Sequence, residues 1–151
     1  NIHGIPKPSF RAFQLLSKLK GDRLDVAVLE GSLTVDCTAS ISEAGITVLL
    51  SNYQVPLSPV EAEQVSIKVK GVNGLRSASL QRIDETHANP KKAWMEMGSP
   101  TYLNSEQIQA LIKASELTTE TVEWSEDEEG VAMELQIQPN SAIAVTLVPA
   151  G

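Results

Sequence analysis

Cysteine, aromatic side chains and positive charge are all scarce in this sequence, and each scarcity closes off a class of chemistry. The single cysteine, Cys37, leaves no internal disulfide and no four-thiolate metal site. It alternates with Val35 in a β-like run, which reads as a buried thiol. A nucleophilic thiolate would need a basic neighbour, and His3 and His87 are the only histidines. Aromatic residues make up 4% of the chain, too few for a broad stacking surface. Formal charge is −7 with no basic stripe, so no nucleic acid and no anionic membrane surface is expected as a partner. No apolar run approaches the roughly 20 residues of a membrane span. No basic segment followed by an apolar one marks a signal peptide. P-loop, G-x-S-x-G, H-E-x-x-H and dinucleotide fingerprints are missing too, and neither a metal nor a cofactor is expected.

What is present describes a globular domain. The 151 residues, 42% hydrophobic and 21% charged, are enough for a real core. The chain opens on Asn1 rather than Met and close to a helix, which suggests a piece of something longer. Pro6, Pro8 and Gly4 break the first eight residues. From Ser9 to about Leu19 the spacing predicts a helix stopped by Gly21. Phe10, Phe13, Leu16 and Leu19 share one side; Arg11, Gln14 and Lys18 share the other. Such a helix wants a large apolar partner, either this domain's own sheet or a neighbouring domain.

After Gly21 the period changes to two. Val26 with Val28, then Leu33, Val35 and Cys37, then Ile46, Val48 and Leu50 read as three strands. Residues 54–61, with Pro56 and Pro59, read as a loop. Val65, Ile67 and Val69 alternate with Ser66, Lys68 and Lys70, the pattern of a strand with one wet face. Ala78, Leu80 and Ile83 carry the next strand to Asp84. Asn89 and Pro90 then cap and open a short helix bearing Trp94, which Gly98 and Pro100 end. Asn104 to Gln107 has the form of a capping box before a second helix with Ile108, Leu111 and Ile112. Strand patterns return at Val122 and Trp124, over Val131 to Ile137 and over Ile143 to Leu147. About eight strands with regular turns predict a mainly β fold, an antiparallel β-sandwich with a short helical insertion at about 89–116.

Three constellations could carry chemistry. The acidic run from Glu126 to Glu129 could ligate calcium, but consecutive turn residues splay into water rather than converge. His87 near Asp84 and Glu85 could form an acid/base relay, or a capping network that holds the strand-to-helix crossover. Trp124 and Tyr53 are the candidates for sugar stacking, which needs rings coplanar and exposed on one face. Trp94 reads instead as a helix-to-sheet anchor.

Two segments carry a family resemblance. Asn1-Ile-His-Gly-Ile-Pro-Lys-Pro-Ser-Phe-Arg-Ala-Phe-Gln-Leu-Leu is similar to the passage that closes the catalytic (β/α)8 barrel in glycoside hydrolase family 39. That is the β-xylosidase family, to which the α-L-iduronidases are related. Arg82-Ile-Asp-Glu-Thr-His-Ala-Asn-Pro, then Ala93-Trp94 and Met97-Gly98-Ser99-Pro100, resembles a segment of that family's C-terminal accessory domain. Order and spacing agree over nearly the whole chain. The resemblance implies that residues 1–20 are the last helix region of a barrel and 21–151 an accessory β-sandwich. It also implies a retaining mechanism that uses two barrel glutamates lying upstream of Asn1, so no catalytic residue is expected here. The expected role is then non-catalytic. The chain would brace the parent's barrel, with Asp84, His87 and Asn89 as candidates for the substrate entrance or an oligomer interface. Xylo-oligosaccharide and further copies of the enzyme are the other expected partners. An autonomous carbohydrate-binding module, or an enzyme using Asp84 and His87, are the competing readings.

Overall fold

A computed structural model describes residues 3–55 and 59–151. Two antiparallel sheets face each other. In chain order the strands are β1 (Asp22–Leu24), β2 (Val35–Ser42), β3 (Gly45–Asn52), β4 (Glu63–Lys70), β5 (Leu75–Ile83), β6 (Glu120–Thr121), β7 (Ser125–Asp127), β8 (Gly130–Ile137) and β9 (Ser141–Pro149). One sheet runs β1-β2-β3-β9-β5-β6 and the other β4-β8-β7. The helices are α1 (Pro8–Leu16), α2 (Pro90–Glu96) and α3 (Ser105–Ala114).

The period-two pattern explains the layers. Ile46, Val48 and Leu50 of β3, Ala78 and Leu80 of β5, and Ile143, Val145 and Leu147 of β9 point inward. They meet Val131, Met133, Leu135 and Ile137 of β8, with Val65, Ile67 and Val69 of β4 at the margin. Asn52, fully buried, ties the sheets together through Nδ2, which donates to the carbonyls of Glu61 at 2.7 Å and Gln138 at 3.2 Å.

The opposite face of the larger sheet carries α1. Leu15, 1% exposed, packs there with Ile83, Ala88 and Ala144, flanked by Ala12, Leu49 and Ala142. The small residues of β9 let the helix approach closely. Arg11 fastens α1 to the end of α3: its Nε donates to the Ser115 carbonyl at 2.6 Å and Nη2 to Ser115 Oγ at 3.2 Å.

The insertion follows its capping signals. Asn89 Oδ1 accepts from Lys91 N with Pro90 in the first turn, and Asn104 and Gln107 close a reciprocal capping box. Trp94 Nε1 donates to the Pro100 carbonyl at 3.0 Å, which anchors the turn after α2.

Two expectations need correction, and of the two covers left open for the apolar side of α1 the sheet is not used. The first helix ends at Leu16, because Lys18 N and Leu19 N bond three residues back in a tightened last turn. Val26 and Val28 are not in a strand: β1 lies earlier, at Asp22–Leu24, and the chain leaves β2's edge after it. The apolar side of α1 is also not the side that meets the sheet. Phe10, Phe13 and Leu16 are 52%, 71% and 48% exposed. The loop expected over 54–61 falls partly on 56–58, which lie outside the described residues.

Candidate functional site: the loop from Asp84 to Asn89

This loop leaves β5 as a hydrogen-bonded turn built on one buried carboxylate. Asp84 Oδ1 accepts from the backbone N–H of Thr86 and of His87, both at 2.8 Å, and from Thr86 Oγ1 at 3.0 Å. The His87 ring adds Nδ1, 2.8 Å from Oδ1 and 2.9 Å from Oδ2. Asp84 N closes the turn by donating to the His87 carbonyl. Burial alone would raise the Asp84 pKa. The hydrogen bonds from His87 and Thr86 outweigh it and hold the carboxyl below the usual carboxylate range.

Because Nδ1 faces a carboxylate, that nitrogen carries the proton, and Nε2 is left to face outward. Nε2 lies 3.8 Å from Glu120 Oε1 on β6, and the other oxygen of Glu120 accepts from Arg82 Nη2 at 2.9 Å. The Asp84 side chain is 3% exposed and that of His87 is 39%. The arrangement therefore presents one fixed imidazole edge at the surface, beside a carboxylate that is itself ion-paired. That edge can hydrogen-bond a polar ligand or a neighbouring domain.

Asn89 completes the loop but spends its amide locally, Nδ2 donating to the Glu85 carbonyl at 2.8 Å and Oδ1 capping α2. Between them Ala88 sits at φ +53°, a left-handed conformation unfavourable for a residue with a Cβ. Its methyl is buried in the cluster that Leu15 of α1 shares with Ile83 and Ala144, so the loop borders on α1. Glu120 and Arg82 were missed in the sequence. Glu120 lies on a two-residue strand, and its pairing with β5 leaves no local signature.

The stacking candidates are not brought together. Tyr53 follows β3, whose Asn52 pairs with Ser141 at the start of β9. Trp124 Nε1 donates to Glu126, which also accepts from Leu75 N, and Leu75 pairs with Pro149 at the other end of β9. The length of β9, about 26 Å at 3.3 Å per residue, separates them. Tyr53 is 51% exposed, whereas Trp124 packs partly against the core.

The acidic turn is tied up by its own neighbours. Lys68 Nζ lies 2.8 Å from Asp127 Oδ2 and 2.7 Å from Glu129 Oε2, and Asp127 Oδ1 accepts from Glu129 N and Gly130 N. Among the described residues no group of three or more His, Cys, Asp or Glu side chains could hold a metal ion. No helix among them is long and apolar enough to cross a membrane.

Comparison with known proteins assigns the family. The sequence model of glycosyl hydrolases family 39 matches residues 1–130. The chain belongs to glycosyl hydrolase family 39. It is 49% identical over 148 residues to a beta-xylosidase of Caldicellulosiruptor saccharolyticus, covering 97% of this chain but 30% of that protein. A family 39 beta-xylosidase of Caulobacter crescentus superposes with a TM-score of 0.72 at 25% identity, over 99% of this chain and 29% of that one. The family 39 enzyme of Xanthomonas axonopodis pv. citri superposes with a TM-score of 0.71 at 19% identity, over 97% of this chain and 31% of that one. A monomeric beta-xylosidase of Caulobacter crescentus CB15 does so at 0.73 and 22% identity, covering 98% and 32%. The chain thus spans about a third of the length of the family members it matches.

Proposed function

We propose that this chain is the non-catalytic C-terminal part of a β-xylosidase-like family 39 glycosidase, and that it braces the catalytic barrel. The observation that carries this reading is the one-sided burial of α1. Its Ala12 and Leu15 side is committed to the sandwich, while Phe10, Phe13 and Leu16 stand open on the other. In water that face is unfavourable, since each such side chain is worth about 1.5–3 kcal/mol when fully buried. A helix fastened to one domain and apolar toward outside is a joint, and the family resemblance supplies the last barrel helix as its identity. The Asp84 to Asn89 loop borders the joint, which supports His87 as a candidate for the substrate entrance or a subunit contact.

The test uses the remaining part of the Caldicellulosiruptor beta-xylosidase, expressed without the segment that matches this chain. Mixed with the present chain, it should gain solubility and aryl β-xyloside hydrolysis, and Phe10→Glu with Phe13→Glu should abolish the gain. The chain alone should turn over no aryl xyloside. Hydrolysis by the chain alone, or a catalytic part indifferent to its presence, would overturn the reading.

A further inference from the structure

The two ends of the larger sheet close with very short strands, β1 at Asp22–Leu24 and β6 at Glu120–Thr121, and β7 at one end of the smaller sheet has three residues. Short edges resist pairing with other chains. β4 is different. It is an edge of eight residues, paired with β8 without a bulge from Glu63↔Ile137 to Lys70↔Gly130.

The register tells which backbone groups are free. Gly71 N donates to the Glu129 carbonyl, one step beyond Lys70↔Gly130, so the odd-numbered residues of β4 make the hydrogen-bonded pairs with β8. The N–H and C=O groups of Gln64, Ser66, Lys68 and Lys70 therefore point to the open edge, where no described strand pairs with them. On the inner face Val65, Ile67 and Val69 remain only half-buried.

We propose that this edge binds β4 of a second copy of the chain, antiparallel across a two-fold axis, so that the two small sheets join into one. The sequence is self-complementary in one register. With Ile67 opposite Ile67 of the second copy, Gln64 and Ser66 fall opposite Lys70 and Lys68 as hydrogen-bonded pairs. Val65 then meets Val69, and both aliphatic contacts fall at the close, non-hydrogen-bonded positions. Glu63 lies opposite Gly71, and no carboxylate is placed against an apolar partner. The exposed Leu33, Tyr53 and Val55 stand by the start of β4, where Ser32 Oγ donates to Glu63, and the same axis brings the partner's 70–72 turn to them. The net charge of −7 opposes association only within a Debye length of about 8 Å at physiological salt. The choice of occupant rests on the reading of α1 as the joint to the catalytic barrel. α1 lies on the outer face of the larger sheet, so that barrel sits on the side away from β4.

Sedimentation equilibrium of the 151-residue chain in 0.15 M salt tests this, with Ser66→Pro as the variant. The Ser66 N–H points to the open edge, so proline there removes no bond to β8 and is tolerated on an edge strand. The wild type should sediment as a dimer at tens of micromolar, and Ser66→Pro as a monomer that still unfolds cooperatively. Far-UV circular dichroism and a melting curve separate a lost interface from a lost fold, and Lys68→Pro provides a second edge block if Ser66→Pro fails to fold. A wild-type chain that stays monomeric at several hundred micromolar overturns the proposal. So does a dimer that survives both edge variants but dissolves with Phe10→Glu and Phe13→Glu, which would mean that the α1 face had found itself. The failure of this proposal leaves the bracing role standing, because that role is read from complementation by the α1 face.

Discussion

Replacing Asp84 tests whether the loop beside α1 is a rigid fixture. Asp84→Ala leaves the N–H groups of Thr86 and His87, the Thr86 hydroxyl and His87 Nδ1 without their acceptor in a site where the carboxylate is 3% exposed. Removing a buried carboxylate that accepts this many hydrogen bonds costs about 3 kcal/mol or more. For a chain of this size each kcal/mol moves the melting temperature by about 2–4 °C, so Asp84→Ala should melt about 6–12 °C lower. Asp84→Asn keeps an oxygen for the two backbone donors and loses only the charge and the second oxygen. It should cost about 1–2 kcal/mol, or about 2–8 °C. The pH dependence fixes the cause. The folded pKa of Asp84 is depressed below the ordinary value of 3.8. Its contribution is therefore fully present above that value and is lost as pH falls through the lower folded one. Scanning calorimetry from pH 7 to pH 2 should show wild type losing stability below about pH 4 more steeply than Asp84→Asn. An Asp84→Ala chain melting within about 1 °C of wild type, or two superimposable acid limbs, would refute the argument that this carboxylate organises the loop.

Other consequences are as direct. Leu15→Ala, at 1% exposure beneath α1, should lose about 2–5 kcal/mol in urea unfolding. Gly130→Ala should destabilise by more than about 1 kcal/mol in the same assay, since Gly130 sits at φ +153° and a Cβ there would collide with the Val69 carbonyl on the neighbouring strand β4. Burial pushes the Cys37 thiol up, so iodoacetamide at neutral pH should label it at least about tenfold more slowly than in the urea-unfolded chain, and equal rates would place the thiol in water.

The sheets were legible because alternation survives wherever one face is buried: Val131 to Ile137 and Ile143 to Leu147 appear as β8 and β9 with the expected sides inward. The insertion was legible because its caps are local chemistry, Asn89 with Pro90 and Asn104 with Gln107. What failed was whatever depended on distant partners. Val26 and Val28 have strand-like spacing, yet the chain bonded to β2 ends at Leu24, and spacing alone cannot say where a neighbour stops. The Asp84–His87 pair was within reach of reading because its members are three positions apart. The Glu120–Arg82 pair beside it depends on the β5–β6 register. The distance between Trp124 and Tyr53 depends in the same way on the order in which β9 pairs with β3 and β5.

The open face of α1 has the widest consequence. Helical periodicity picked out Phe10, Phe13 and Leu16 as the side that must be covered, and expected the sheet as one possible cover. The sheet instead offers α1 a shallow surface, Ala142 and Ala144 of β9, which accommodates one leucine and one alanine and no phenylalanine. A helix can satisfy a small-residue face with Ala12 and Leu15 and still keep its larger apolar stripe for something else. The periodicity was thus correct about the need for a partner, and the size of the residues on β9 shows that the sandwich is not that partner. Two phenylalanines and a leucine at about half exposure or more retain several kcal/mol of unrealised burial. That surplus is what a second domain docking on α1 would recover, and it is the ground on which the bracing role is proposed.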